Sequence, residues 1–309
     1  MELNSKIYVA GHNGMVGSAI VRKLQSLGYK NIITASKNNL NLINQEEVQF
    51  FFERERPDYV FLAAAKVGGI KANNEKKADF IYDNIMIQSN VIKSSFDCGV
   101  KKLLFLGSSC IYPKMSPQPI KEEYLLTGSL ESTNDAYAIA KIAGIKMCQS
   151  FNQQYKTNFI SVMPTNLYGP NDNYDLENSH VLPAMIRKFH EAKINGLDKV
   201  EIWGTGTPMR EFLYVDDLAD ACVYLMKTYN GSEIVNIGTG QDLSIKDLAY
   251  LVKEIVGFDG DIYFNTDMPD GTPKKLLDVS NLKDLGWEYK ISLRQGIENT
   301  YKNYIENEL

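Results

Sequence analysis

Seven residues constrain this chain more than any other stretch. Gly11-His12-Asn13-Gly14-Met15-Val16-Gly17 follows the short, largely apolar run Lys6-Ile7-Tyr8-Val9-Ala10 and leads into a helical pattern carried by Ile20, Leu24 and Leu27. A G-x-x-G-x-x-G turn between a strand and a helix lets backbone N–H groups come close to a pyrophosphate at the helix amino end. Glycine is common in any strand-to-helix turn. Here it stands in the first βαβ unit, where dinucleotide binding requires it. Gly11, Asn13, Gly14, Met15, Val16 and Gly17 are therefore expected around a cofactor.

The rest of the chain supplies a sheet for that loop. After Gly28 come an apolar run at residues 31–35, a helical pattern at 45–55, a strand at 59–63, a helix at 79–96 and a strand at 103–106. Strands that are apolar throughout and alternate with helices predict a parallel sheet covered on both faces. Runs at 159–163 and 234–237 extend it. Residues 171–210 and 242–309 break the alternation. The expected fold is α/β, a Rossmann-like doubly wound parallel sheet with a smaller, discontinuous α/β substrate-binding domain. Residues 1–168, with 211–241 returning, form the nucleotide-binding part; 169–210 and 242–309 form the other.

Composition narrows the function classes. With 309 residues, 44% apolar and 23% charged, the chain can bury a full core, and its net charge of −5 argues against a nucleic-acid partner. Cys98, Cys110, Cys148 and Cys222 show no C-x-x-C spacing, so reduced thiols in a cytoplasmic protein are expected, with no structural zinc and no other metal. The amino terminus enters a strand almost at once, which leaves no room for a signal peptide. No apolar stretch approaches the roughly 18–20 residues of a membrane span.

The cofactor choice is written after the second run. An acid there would take the ribose hydroxyls of NAD. This chain reads Ala35-Ser36-Lys37-Asn38-Asn39, with no acid before Glu46, and Lys37 beside a hydroxyl suits the 2′-phosphate of NADP(H). Tyr137 and Lys141 lie four apart on a helical pattern and so share a face. A phenol held near an ammonium should have its pKa lowered from about 10. Such a tyrosine exchanges a proton with a carbonyl oxygen while hydride moves at carbon. Ser108, in "GSSCIYP" after the fourth strand, supplies a second hydrogen bond to that oxygen.

This Ser–Tyr–Lys set resembles the extended short-chain dehydrogenase/reductase family. The stretches AGHNGMVGSAI, AAAKVGGI, LFLGSSCIYPK, YAIAKIAGIKMC, MPTNLYGPND, NSHVLPA, GTGTPMREFLYVDD and PDGTPKKLLDV are similar to its GDP-4-keto-6-deoxy-D-mannose 3,5-epimerase/4-reductase branch. That resemblance implies a homodimeric enzyme forming GDP-L-fucose with NADPH. It implies Cys110 as the base and His180 as the acid at C3 and C5, because a C4 ketone acidifies those positions and inversion needs groups on both ring faces. It places Asn41, Leu42, Leu106, Gly107, Ser109, Lys141, Pro164, Asn166, Leu167 and His180 at the cofactor. It places Lys188, Trp203, Arg210, Asp270 and Lys275 at the nucleotide sugar, with Arg210 on the diphosphate and Trp203 either on the ligand or in the core. The family often has arginine where this chain has Asn13 and Lys188: the first departure leaves Lys37 more of the cofactor preference, and the second keeps the charge but loses bidentate geometry. Cys98, Cys148 and Cys222 read as small packing residues, His190 as a surface or packing residue, and His12 as part of the loop's shape. Lys66, Gly68 and Gly69 are expected in a loop near the nicotinamide. The alternatives are a nucleotide-sugar 4-epimerase or 4,6-dehydratase of the same family, or a regulatory protein that senses NADP without turnover.

Overall fold

The structure, a computed structural model, describes residues 1–176, 179–268 and 270–307, apart from the side chains of Ile70 and Lys71. Asn178 of the NSHVLPA stretch, Pro269 of PDGTPKKLLDV and the last two residues of the 242–309 segment lie outside the described residues.

The chain opens with β1 (Ile7–Ala10), α1 (Met15–Ser26), β2 (Ile32–Ile33), α2 (Gln45–Glu55), β3 (Tyr59–Leu62), α3 (Ile70–Glu75), α4 (Lys77–Asp97) and β4 (Lys102–Leu106). It continues with α5 (Asp135–Tyr155), β5 (Phe159–Pro164), β6 (Asn166–Tyr168), α6 (Val181–Ile194), β7 (Lys199–Trp203), β8 (Met209–Tyr214), α7 (Val215–Thr228) and β9 (Val235–Ile237). The last elements are β10 (Asp242–Ser244), α8 (Ile245–Val256), β11 (Asp261–Asn265), β12 (Lys274–Lys275), α9 (Ser280–Asp284) and α10 (Leu293–Asn307).

Six parallel strands form the large sheet in the order β2-β1-β3-β4-β5-β9. Every residue of β1, β4 and β5 is buried, because helices cover both faces. Ile20 and Leu24 of α1 pack with Leu218 and Cys222 of α7 on one face. Phe52 of α2, Val91 of α4, and Ile145 and Cys148 of α5 fill the other. The chain runs from β1 to β2 on one side and returns to β3 on the other. Such a reversal leaves a crevice at the carboxyl ends of the strands, where Gly11 and Ala63 lie.

The second strand is shorter than its apolar run predicts, Ile32–Ile33 in place of 31–35. The first acid after it, Glu46, belongs to a helix start. Asn44 Oδ1 caps α2 by accepting from Glu46 N at 3.0 Å and Glu47 N at 3.3 Å, and both acids complement the amino-terminal dipole.

The smaller part has its own core of Leu182, Phe189, Val200, Phe212 and Leu248. β8 runs antiparallel to β10 and parallel to both β12 and β6, while β7 and β11 pair in parallel. Residues 166–168 and 211–214, both expected in the nucleotide-binding part, thus pair within this second sheet, and the return to the large sheet begins with α7. Leu282 and Trp287 also cross back, packing in the core beneath α1 and α7.

Candidate active site

The glycine loop is shaped by backbone contacts. Gly11 has φ +84, and a Cβ there would lie 2.7 Å from Ala64 N; a Cβ on Gly17 would lie 2.1 Å from the Gly11 carbonyl oxygen. These distances leave no room for side chains. Gly14 begins α1 with no side-chain cap, so the first-turn amides stay available to an anion. This cradle fits a dinucleotide pyrophosphate. Asn13, within the loop, and Lys37, after β2, are both exposed. Asn41 Oδ1 accepts from Ile43 N at 3.2 Å, and Asn90 Nδ2 donates to the Leu42 and Ile43 carbonyls at 3.0 Å, which holds the loop after β2.

At the end of β4 the chain turns through Gly107 and Ser108 into a short 3-10 turn, Ser109–Ile111. Ser108 Oγ accepts from Cys110 N at 3.2 Å. Two donors meet the cysteine sulfur: Asn134 Nδ2 at 3.3 Å and Lys275 Nζ at 3.6 Å. Asn134 carries no site signal in the sequence, because an asparagine just before a helix reads as a cap. It makes no capping bond, and its buried Oδ1 has no partner. Tyr137, on the first turn of α5, lies near Ser108 and packs edge-on against Phe80 at 6.5 Å. Ser108, Cys110, Tyr137, Lys141 and Lys275 are therefore brought together.

The electrostatics differ from the spacing argument. Lys141 is buried, and its Nζ donates to the Leu106 carbonyl at 2.8 Å and lies 5.7 Å from the Tyr137 ring centroid. Burial pushes its ammonium down to about 7. Burial also raises the Tyr137 phenol, with Cys110 adding to the effect and the nearby Ser108 hydroxyl opposing it. Desolvation outweighs the pairing that an i, i+4 spacing predicts, so Tyr137 is held as a neutral phenol. His180 precedes α6. Crowding by protein around the ring and, second, the Lys275 charge hold its pKa below the ordinary histidine value, although the residue keeps exposed surface.

Lys66 lies in the loop after β3. Asn84 clamps that loop, accepting from Lys66 N at 2.9 Å and donating to Lys66 O at 3.0 Å, while Lys66 Nζ pairs with Asp83 at 2.8 Å and Asp79 at 3.2 Å. His190 is a packing residue whose Nδ1 lies 3.0 Å from the Tyr301 hydroxyl, and His12 Nδ1 is buried without a partner in the glycine loop.

A second group lies on the smaller part. Trp203 is 56% exposed, which removes core packing as its role, and Lys188 Nζ stands 5.7 Å from its ring centroid. Asp270 accepts from Thr205 N at 2.9 Å and Thr205 Oγ1 at 2.7 Å. Arg210 donates to the Met209 carbonyl at 2.8 Å. Burial lowers its pKa and the nearby Asp270 charge opposes that shift. The distances place Lys188 with Trp203 and Arg210 near Asp270, while Lys275 sits at the sulfur of Cys110.

The chain matches the NAD dependent epimerase/dehydratase family over residues 7–238. It is 61% identical to GDP-L-fucose synthase 1 of Arabidopsis thaliana over 98% of this chain and 94% of the relative. It is 51% identical to the GDP-L-fucose synthase of Escherichia coli K12, covering 98% and 97% of the two chains. Among solved structures, the GDP-mannoheptose C4 reductase MlghC of Campylobacter jejuni, with NADP bound, is 46% identical and superposes with a TM-score of 0.92 over 99% of both chains.

Proposed function

The chain belongs to the NAD dependent epimerase/dehydratase family, and we propose that it converts GDP-4-keto-6-deoxy-D-mannose to GDP-L-fucose by inverting C3 and C5 and reducing the C4 ketone with NADPH. The observation that carries this reading is Cys110. Reduction alone needs a serine, a tyrosine and a lysine. Here the same turn also presents a thiol that accepts from Asn134 and Lys275.

The glycine cradle of Gly11, Gly14 and Gly17 holds the cofactor pyrophosphate, and Lys37 takes the 2′-phosphate. NADPH supplies hydride to C4 when bound. Ser108 and Tyr137 hydrogen-bond the O4 oxygen, polarising the ketone so that protons at C3 and C5 become acidic. Cys110 and His180 remove and return those protons from opposite ring faces. Tyr137, kept neutral by burial, then gives its proton to O4 as the alkoxide forms. Lys141 fixes the turn through the Leu106 carbonyl and holds the nicotinamide ribose. Arg210, half-buried near Asp270, meets the diphosphate, and exposed Trp203 offers the guanine a flat face. The nucleotide-binding part is residues 1–164 and the segment that returns through α7 and β9; the remainder, with β6 and β8, holds the sugar nucleotide. The reaction runs in the cytoplasm in a homodimer. Exposed Tyr82 on α4 and Ile139 on α5 support pairing of those helices.

The test is one assay on purified protein with GDP-4-keto-6-deoxy-D-mannose in deuterated water. Expected are NADPH oxidation, deuterium at C3 and C5, and GDP-L-fucose as product. Oxidation without exchange would mean a C4 reductase only. No oxidation, with cofactor retained through purification, would favour a 4-epimerase or dehydratase.

A further inference from the structure

Glu211 follows Arg210 on β8 and has no exposed surface. Its two carboxylate oxygens reach two different segments. Oε1 accepts from Thr239 N at 2.6 Å and Gly240 N at 2.7 Å, in the turn that leaves β9. Oε2 accepts from Leu277 N at 3.0 Å, two residues beyond Lys275. The Glu211 carbonyl accepts from Asn166 Nδ2 at 2.8 Å, on β6 beside the end of β5. The turn is made for this carboxylate, since a Cβ on Gly238 would lie 2.3 Å from Oε1. One buried side chain thus ties the end of the large sheet to β8 and to the segment that carries Lys275.

We propose that Glu211 is a positioning residue for the reaction: through Leu277 it sets Lys275 against Cys110, and through β8 it sets Arg210 at the diphosphate. The proposal rests on the function given above. A carboxylate is required because acceptors are needed at both ends. Glutamine keeps one acceptor oxygen, so its amide nitrogen would face N–H donors at one end, leaving buried donors unsatisfied. Lys275 reaches the Cys110 sulfur at 3.6 Å, a contact that a small shift of its segment would break.

Three variants test the assignment against wild-type protein, whose own turnover must first be seen. Absence of wild-type exchange would overturn the function and not this proposal specifically. In Glu211→Gln, NADPH affinity by fluorescence titration should stay within about twofold. KM for the GDP-sugar should rise, and C3/C5 deuterium exchange at saturating substrate should fall on the order of 10²-fold, as small misplacements of reacting groups do. Glu211→Asp keeps both acceptor oxygens and should recover about tenfold of the exchange rate over Gln. Gly238→Ala keeps the charge but displaces the carboxylate, and should reproduce the Gln pattern. Unchanged KM and exchange in Glu211→Gln, with only a lower Tm, would overturn the proposal. So would an Asp variant no better than Gln, or loss of NADPH binding in both Glu211→Gln and Gly238→Ala, which would make Glu211 a fold residue.

Discussion

Between Gly11 and Gly17 the protein makes a binding site out of backbone, whereas around Cys110 it makes one out of side chains. The glycine loop closes on itself, with the Gly11 carbonyl under Gly17 and the Ala64 amide under Gly11. The Cys110 sulfur instead meets Asn134 from the start of α5 and Lys275 from β12, the latter 165 residues away in sequence. A backbone site is fixed by sterics and either forms or does not. A side-chain site is fixed by the register of several segments and degrades by degrees.

The largest expected effect lies in the backbone site. Gly17→Ala places a methyl group 2.1 Å from a carbonyl oxygen that has nowhere to go, so NADPH binding should fall below detection in a fluorescence titration, with a lower Tm. Gly14→Ala meets its nearest atom at 3.5 Å, an ordinary contact, and should bind NADPH almost as wild type does. Equal effects of the two alanines would mean that the loop has slack, and the contrast between the sites would dissolve.

Next comes the side-chain site. Cys110→Ser puts a hydroxyl of similar size in place of the thiol and gives up the acidity of a thiol. Exchange at C3 and C5 should fall by roughly 10²-fold or more, a common size for one proton-transfer group, while NADPH affinity is unchanged. Slow reduction of an unepimerised sugar should remain, because Ser108, Tyr137 and Lys141 are intact. Normal GDP-L-fucose formation by this variant would return Cys110 to a packing role.

The same contrast explains what could be read from the chain in advance. The glycine loop, the alternating elements and the tyrosine–lysine pair are local, and periodicity and spacing report local facts. Asn134 was hidden by its helix-start position, which suggests a cap that the side chain does not make. The Lys275–Cys110 contact has no local signature at all. Spacing also misjudged the charge of the tyrosine–lysine pair: four residues apart says that two groups are neighbours, but burial of both decides their protonation. Residues 166–168 and 211–214 are expected in the nucleotide-binding part from their place in the chain. Only the pairing of β8 with β6, β10 and β12 reveals otherwise.

Lys141 gives a pH test of that last physical point. Burial holds its ammonium down to about 7, against about 10.4 in an unfolded chain. Between those values the unfolded chain keeps a proton that the folded one has released, so this residue makes stability rise with pH across that window. Below pH 7 both states hold the proton and the full cost of burying the charge is present. Lys141→Met removes the effect. Without cofactor, the wild type should therefore gain roughly 2–3 kcal/mol relative to the variant between pH 6 and pH 9, measured by denaturant melts. A constant gap would mean that the lysine is charged throughout and that pairing with Tyr137 outweighs burial.

The smallest effect is expected at the edge of the backbone site, where it depends on a single exposed side chain. Lys37 stands after β2 with no acid between it and Glu46, and Glu46 is engaged at the start of α2. An ammonium on the 2′-phosphate gains from a charge-assisted hydrogen bond, but solvent and salt screen it. Lys37→Ala should raise KM for NADPH by about 5–10-fold at low salt, less at 0.5 M salt, with KM for NADH within about twofold of wild type. The preference for NADPH then rests on one cation, with Asn13 offering no charge beside it. Equal shifts for both cofactors would remove the phosphate contact. The cofactor choice would then have to come from the loop backbone, and this part of the cradle would be as insensitive to side chains as Gly11 and Gly17 make the rest.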